Sequence, residues 1–332
     1  MATAFAIPLF LVSLAATLLA AGSFARRLDR LGVRLGLPEA LLGLLTALAA
    51  DAPELSSAIV ALVKGSERVG VGVVVGSNVF NLAAMIGLSA LLAGHVRLRR
   101  ESLLLEGTVA LAATLVTAGL IAGLIPAPVA ATLLVVILAP YVTIVILGPS
   151  RAAEILRIRA PGGLRRALER AHKEPRLEPA TPRAVHATEL LIVPMVVLIV
   201  LGSYGMVEAA LALADEWSIP DQIVGTLVLA VLTSLPNAFT GVRLGLGHRG
   251  TALVSETLNS NTINLVGGLV LPAFFVTLSP LSGLLLFDVL WLIGMTVVSL
   301  VLLARHGGGG RGMGTALVTL YAIFFAVHLA YG

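Results

Sequence analysis

The sequence predicts an all-α polytopic membrane protein with ten transmembrane helices, arranged as two inverted five-helix repeats. Three observations carry that expectation. Of the 332 residues 58% are hydrophobic and only 12% are charged, and the mean hydropathy is +1.01, far outside the soluble range. Apolar runs reach the roughly 20 residues that cross a bilayer many times over. Finally, one polar pattern occurs twice inside apolar sequence. Asp51-Ala52-Pro53-Glu54 is followed by Gly76-Ser77-Asn78-Val79-Phe80-Asn81. Thr233-Ser234-Leu235-Pro236-Asn237 is followed by Asn259-Ser260-Asn261-Thr262-Ile263-Asn264. Pro53 to Asn78 is 25 residues, as is Pro236 to Asn261. A duplicated polar core in a hydrophobic chain points to a binding site at mid-membrane.

The spans are expected at 4–25, 39–63, 69–93, 103–124, 127–149, 187–211, 221–243, 250–276, 281–304 and 314–331. The first run, Ala4 to Phe24, has no basic flank before it and no processing site after it, so it reads as a retained span. Three segments result: 1–149 as the first five-helix repeat, 150–186 as a basic linker, and 187–332 as the second repeat. The linker is rich in Arg, Pro and Glu, with an amphipathic turn expected around Leu164–Arg170.

Charge sets the direction. The loops after spans 1, 3, 5 and 9 hold 4, 3, 9 and 2 Lys and Arg, and the end of span 7 with its loop holds 2, Arg243 and Arg249, whereas the other side holds only Lys64 and Arg68. The positive-inside bias places the linker in the cytoplasm and both termini outside. The pI near 9.9 is thus a property of cytoplasmic loops, and nucleic acid is not an expected partner. Inorganic cations and the lipid bilayer are. With no cysteine, disulfides and thiolate metal sites are excluded. The absence of a targeting segment and the compact length suit a prokaryotic plasma membrane. An odd number of spans per half forces two repeats to insert in opposite orientation. Leu37-Pro38 matches Ile219-Pro220 at an offset of 182, and Pro53, Ser77, Asn78 and Asn81 match Pro236, Ser260, Asn261 and Asn264 at 183.

Asp51 and Glu54 lie three apart and share a face on a continuous helix. Each ionisable side chain at mid-membrane costs about 2.5–3.5 kcal/mol on insertion scales. No Lys or Arg lies within the repeated cores to offset them, so a bound cation or a proton is the natural counter-charge. Pro53 and Pro236 lack an amide N–H, which frees the carbonyls of Ala49 and Leu232. Carboxylates, carbonyls, hydroxyls and amide oxygens together suit a hard cation such as calcium, which takes about 6–8 oxygens. Asn78 and Asn261 are expected to contribute amide oxygens. Asn81 and Asn264 are expected instead to lock helix contacts through hydrogen bonds.

Glu256 lies one turn before Ser260 and either adds a carboxylate to the second half or sits at the mouth of its helix. Asp288 and Glu106 read as paired within the bundle or interfacial, and His328 as a satisfied wall residue. The other five histidines fall in loops or at helix ends. Gly307–Gly310 reads as a flexible turn.

At these residues the chain resembles the cation/calcium exchanger superfamily, to which sodium/calcium exchangers and calcium/proton antiporters belong. Its members carry two inverted repeats with motifs similar to G-T-S-x-P-E and G-N-x-x-G-S-N. The corresponding stretches here are Ala49–Glu54 with Gly72–Asn78, and Leu232–Asn237 with Ser255–Asn261. The resemblance implies a secondary antiporter working by alternating access, with spans 1 and 6 sliding or rocking, and no resident cofactor. It implies calcium as cargo, exchanged for sodium or protons. Glu54 and Asp51 would bind the ion, with Ser77, Asn78, Thr233, Ser234, Asn237 and Asn261 supplying neutral oxygens. The second repeat departs from the pattern: Asn237 stands where the family has glutamate, and Asn261 where sodium/calcium exchangers often have aspartate. Two carboxylates still balance one divalent cation, and their mutual repulsion would let the empty site hold one proton.

The lost carboxylates motivate an alternative, a monovalent cation/proton exchanger on the same fold. A degenerate, non-transporting membrane protein is a further alternative, opposed by the cost of burying Asp51 and Glu54 without function. No nucleophile constellation or phosphate loop supports an enzyme.

Overall fold

In hydrocarbon, backbone groups must be satisfied within the protein, and the computed structural model is helical almost throughout. It describes residues 3–35, 39–147, 151–152, 155, 191–278, 283–305 and 307–331. The first half contains α1 (Thr3–Arg34), α2 (Glu39–Ala50), α3 (Ala52–Val63), α4 (Glu67–Asn81), α5 (Ser89–Ala93), α6 (Arg100–Ile121) and α7 (Ala127–Leu147). A π-helical stretch, Leu82–Leu88, joins α4 to α5. The second half contains α8 (Ile192–Trp217), α9 (Asp221–Ile223), α10 (Ala230–Thr233), α11 (Leu235–Leu246), α12 (Gly250–Leu265), α13 (Leu284–Arg305) and α14 (Arg311–Tyr331). Val224–Leu229, between α9 and α10, and Val266–Val270, after α12, are also π-helical. Apart from residues 151, 152 and 155, the predicted linker 150–186 and its amphipathic turn lie outside the described residues.

Seven described helices are long and apolar enough to cross a bilayer, or eight if 221–233 and 235–246, bent by 48°, form one span. The predicted stretches 39–63 and 250–276 fall short of that length because each is interrupted. The first is divided at Asp51 into two helices of 12 residues. The second gives way to π-helical and 3-10 turns after 16 residues. The second and seventh predicted stretches break at the same place in the repeated pattern, next to Pro53 and Pro236, whose missing N–H interrupts the helical ladder.

The span that carries Ser77, Asn78 and Asn81 is the innermost: 94% of its apolar window is buried, against 17% for α7. Leu133, Val135 and Val136 of α7 are exposed, a surface suited to lipid. Threonine hydroxyls inside the bundle bond back to their own helix, as in Thr114 to the Ala110 carbonyl at 2.8 Å and Thr257 to the Leu253 carbonyl at 2.9 Å.

The segment 221–233 crosses α4 closely enough that only glycine fits at the contact. A Cβ on Gly76 would run into the carbonyl oxygen of Thr226, and one on Gly72 would lie 2.8 Å from its hydroxyl. Gly76→Ala is therefore expected to destabilise the protein by about 1–3 kcal/mol, the usual cost of overpacking. A melting curve in detergent reads the effect, and an unchanged midpoint would mean that the crossing can open.

Two sequence expectations need correction. The chain is not wholly helical, because His95–Arg97 pairs antiparallel with Gly308–Gly310. The glycine run is accordingly a short strand rather than a flexible turn. Gly308 makes the pairing possible: its φ is +139°, and a side chain there would collide with the Val96 carbonyl.

Candidate cation site

The helix that begins after Asp51 aims its N-terminus into the bundle, where the positive end of its dipole favours negative charge. Asp51 occupies the break itself, with φ −80° and ψ −5°, and Glu54 lies in the first turn of α3. The two carboxylates thus converge through a break and not along one continuous helical face, because Pro53 ends the ladder between them. The second break is built alike, with Ser234 between α10 and α11 and Asn237 in the first turn of α11.

These two breaks meet. The Asn237 Nδ2 lies 2.8 Å from Asp51 Oδ1, 2.9 Å from Glu54 Oε1 and 3.3 Å from Ser260 Oγ. An amide has two N–H groups and satisfies two of the three acceptors at a time. Ser260 donates its hydroxyl to Asp51 Oδ1 at 2.5 Å. Asp51 and Glu54 are both 0% exposed, and each keeps one buried oxygen, Oδ2 and Oε2, without a hydrogen-bond partner. No Lys or Arg is among their hydrogen-bond or ion-pair partners among the described residues.

One layer away, Asn78 donates to the Asn261 carbonyl and Asn261 donates to the Asn78 carbonyl, both at 3.0 Å. Asn78 Oδ1 remains buried without a partner. Asn81 donates to Ser260 Oγ at 3.3 Å and to Asn261 Oδ1 at 3.2 Å, so it does tie two helices together, as expected. Its Oδ1, however, is also buried without a partner. Asn264, its counterpart, is buried with neither amide atom bonded. The offset of 183 in the sequence returns as contact in space: Glu54 meets Asn237, and Asn78 meets Asn261.

The remaining expected residues are placed as follows. Ser234 Oγ is buried and close enough to the Glu54 carboxylate to act on it. Thr233 spends its hydrogen on the Leu229 carbonyl at 2.8 Å, leaving oxygen lone pairs. Ser77 lies 3.4 Å from the Ala230 carbonyl. Glu256 is half-buried; it is close enough to interact electrostatically with Asp51, and also with Arg249. Two residues were missed in the sequence. Ser260 could have been found as the match of Ser77 at 183. Ser57, buried with an unbonded hydroxyl one turn after Glu54, lies on Glu54's helical face.

Among the described residues no three His, Cys, Asp or Glu come together to hold a metal ion. A cation here would be held by two carboxylates and a shell of neutral oxygens, a donor set suited to a hard ion. Such a donor set, enclosed by bilayer-length helices, suits the binding of a hard cation within a membrane.

Known proteins give the class, membrane ion exchangers. The sodium/calcium exchanger protein family matches residues 5–147 and 189–330, and the chain belongs to that family. The sodium/calcium exchanger MaX1 of Methanosarcina acetivorans is 29% identical over 129 residues, covering 39% of this chain and 37% of that relative. The chain thus matches little more than a third of that relative's length. Among solved structures, the H+/Ca2+ exchanger CAX is similar with a TM-score of 0.70 at 17% identity, covering 98% of this chain and 85% of that one. The sodium-calcium exchanger NCX_Mj is similar with a TM-score of 0.58 at 16% identity, covering 98% and 99%. At those identities the likeness is one of fold.

Proposed function

We propose that the protein is a secondary antiporter that moves calcium in exchange for sodium or protons by alternating access. One observation carries the reading. Asp51 and Glu54 are wholly buried, each retains an oxygen with no partner, and unbonded oxygens of Asn78 and Asn81 are buried in the same core, with the Ser234 hydroxyl beside Glu54. Two negative charges in hydrocarbon require compensation, and one divalent ion supplies it. The amide of Asn237 now faces the carboxylates through its nitrogen, since carboxylates only accept. A half-turn of that amide presents Oδ1 to an ion held between them.

The same contacts support a membrane architecture. Ten crossings in two inverted repeats, 1–149 and 187–332, would bring equivalent residues together across a pseudo-twofold axis, and the 183-residue pairs support this. Basic loops favour a cytoplasmic linker 150–186 and external termini, in a prokaryotic plasma membrane. Interrupted helices whose ends point at a central site suit alternating access. The names of the relatives, sodium/calcium and H+/Ca2+ exchangers, agree with the cargo and leave two coupling ions.

The absence of second-half carboxylates at Asn237 and Asn261 favours a second reading, exchange of sodium or potassium for protons. Calcium flux into proteoliposomes under separately imposed sodium and proton gradients decides. Uptake that follows one gradient identifies cargo and coupling ion together. No calcium movement under either gradient would overturn the calcium reading, and the same vesicles then test sodium and potassium.

A further inference from the structure

A second buried ionisable cluster lies outside the cation core. Asp288 of α13 and His328 of α14 are both 0% exposed, with Asp288 Oδ1 2.8 Å from His328 Nε2. The other carboxylate oxygen, Oδ2, accepts from Gln222 Nε2 and lies 3.5 Å from Thr226 Oγ1. Gln222 is in turn 3.3 Å from Thr226 Oγ1. The rings of Phe324 and Phe287, 4.4 and 6.0 Å from the imidazole centroid, wall the pair with apolar surface.

The arrangement counts its own protons. His328 Nδ1 lies 2.9 Å from the Phe324 carbonyl, which can only accept, so Nδ1 carries a hydrogen. A neutral ring would then leave a bare Nε2 only 2.8 Å from a carboxylate oxygen, both atoms buried and with no other hydrogen-bond partner. Two acceptors do not pack at that distance. One more proton must lie between them, whether it resides on nitrogen or on oxygen. Without it a carboxylate would stand ionised in an apolar enclosure, a costly state even with Gln222 and Thr226 bonded to it.

Among the described residues nothing nearby substitutes for that proton. Asp288 is acted on by His328, Gln222 and Thr226, and His328 by Asp288 and the Phe324 carbonyl. The elements packed against the pair carry Glu67 and Arg68 on α4, Arg100, Glu101 and Glu106 on α6, and Asp221 on α9. Further along the pair's own helices lie Arg305, Arg311, Tyr321 and Tyr331. None of these is among the groups acting on the pair, and Glu106 accepts from Ser255 instead.

We propose that Asp288 and His328 form a proton-binding site separate from the cation core, whose proton holds the segment 221–229 in place. Gln222 and Thr226 belong to that segment, and Thr226 is the residue wedged against Gly72 and Gly76 of α4. The same segment leads within a few residues to Ser234 and Asn237. Loss of the proton leaves Nε2 and Oδ1 as two acceptors that push apart, which displaces the carboxylate on which Gln222 and Thr226 rest and with it the crossing against α4. Proton and cation binding are then linked, and each changes the other's affinity by the same factor. The proton count stands on geometry alone; its effect on transport rests on the proposed function.

The count is tested on a protein whose five other histidines, His95, His172, His186, His248 and His306, are replaced by Gln, with the remaining histidine labelled with nitrogen-15. Nuclear magnetic resonance is expected to show a hydrogen on Nδ1 and a second proton shared at Nε2 at a pH where a free imidazole is neutral. A ring that titrates like free imidazole overturns the site. For the linkage, flux is followed against pH for wild type, His328→Gln, Asp288→Asn and the double variant. Each single change is expected to remove the same inflection, and the double change to remove no more than either, because the pair acts as a unit. Profiles that superimpose on wild type overturn the linkage. A wild type that moves no cation while its resonance shows the shared proton would sink the antiporter reading and leave the proton site standing.

Discussion

Glu54→Gln is expected to abolish cation flux in reconstituted vesicles, by at least about a hundredfold, while expression and melting temperature stay near wild type. A unit charge about 4 Å from a cation contributes about 4 kcal/mol per unit charge at an effective dielectric of 20, and each 1.4 kcal/mol is about tenfold in affinity. The amide keeps the shape of the side chain, and its oxygen can still accept the 2.9 Å bond from Asn237. Removing a charge from a fully buried position also relieves desolvation, so the fold has no reason to weaken. Undiminished flux in a well-folded variant would remove Glu54 from the site. Lost flux with a lowered melting temperature would instead assign it a structural role.

Asn237→Glu is expected to tighten divalent cation binding by about tenfold or more and to weaken the cation-free protein. Asn237 now does the work of a neutral clasp, donating hydrogen bonds to Asp51 and Glu54. A glutamate there would add a third negative charge and remove the donors, so the empty core would repel itself. The same change gives a bound ion one more oxygen charge. Calorimetry should therefore show higher affinity, and the rise in melting temperature on adding calcium should grow. Unchanged affinity would mean that position 237 does not face the ion.

The interrupted ladders at Pro53 and Pro236 and the grouping of Asp51 with Glu54 were legible because chemistry forces them. Proline cannot continue a ladder, and a carboxylate in an apolar run must find company. What could not be read was partnership across the two halves. Nothing local says that Ser260 gives its hydroxyl to Asp51. Nor does anything local say that Asp288 and His328, 40 residues apart, share a site with Gln222. The pairing of His95–Arg97 with Gly308–Gly310 was hidden for a related reason. A glycine run carries no side-chain pattern, and its strand exists only because a distant loop supplies the other edge. Glu256 was open in the sequence, and the structure puts it beside the core, within electrostatic range of Asp51, without a bond to it.

Both ionisable groups of the core enter from one helix break, Asp51 and Glu54, while the matching break offers only Ser234 and Asn237. In a machine of two interchangeable halves, the inward-facing and outward-facing forms would be related by a twofold rotation and equal in energy. Here they are not, because exchanging the halves does not restore the same placement of charge. If the protein works by the proposed alternating access, a resting bias toward one side is expected, and cation affinities measured separately at the two membrane faces would read it as a difference.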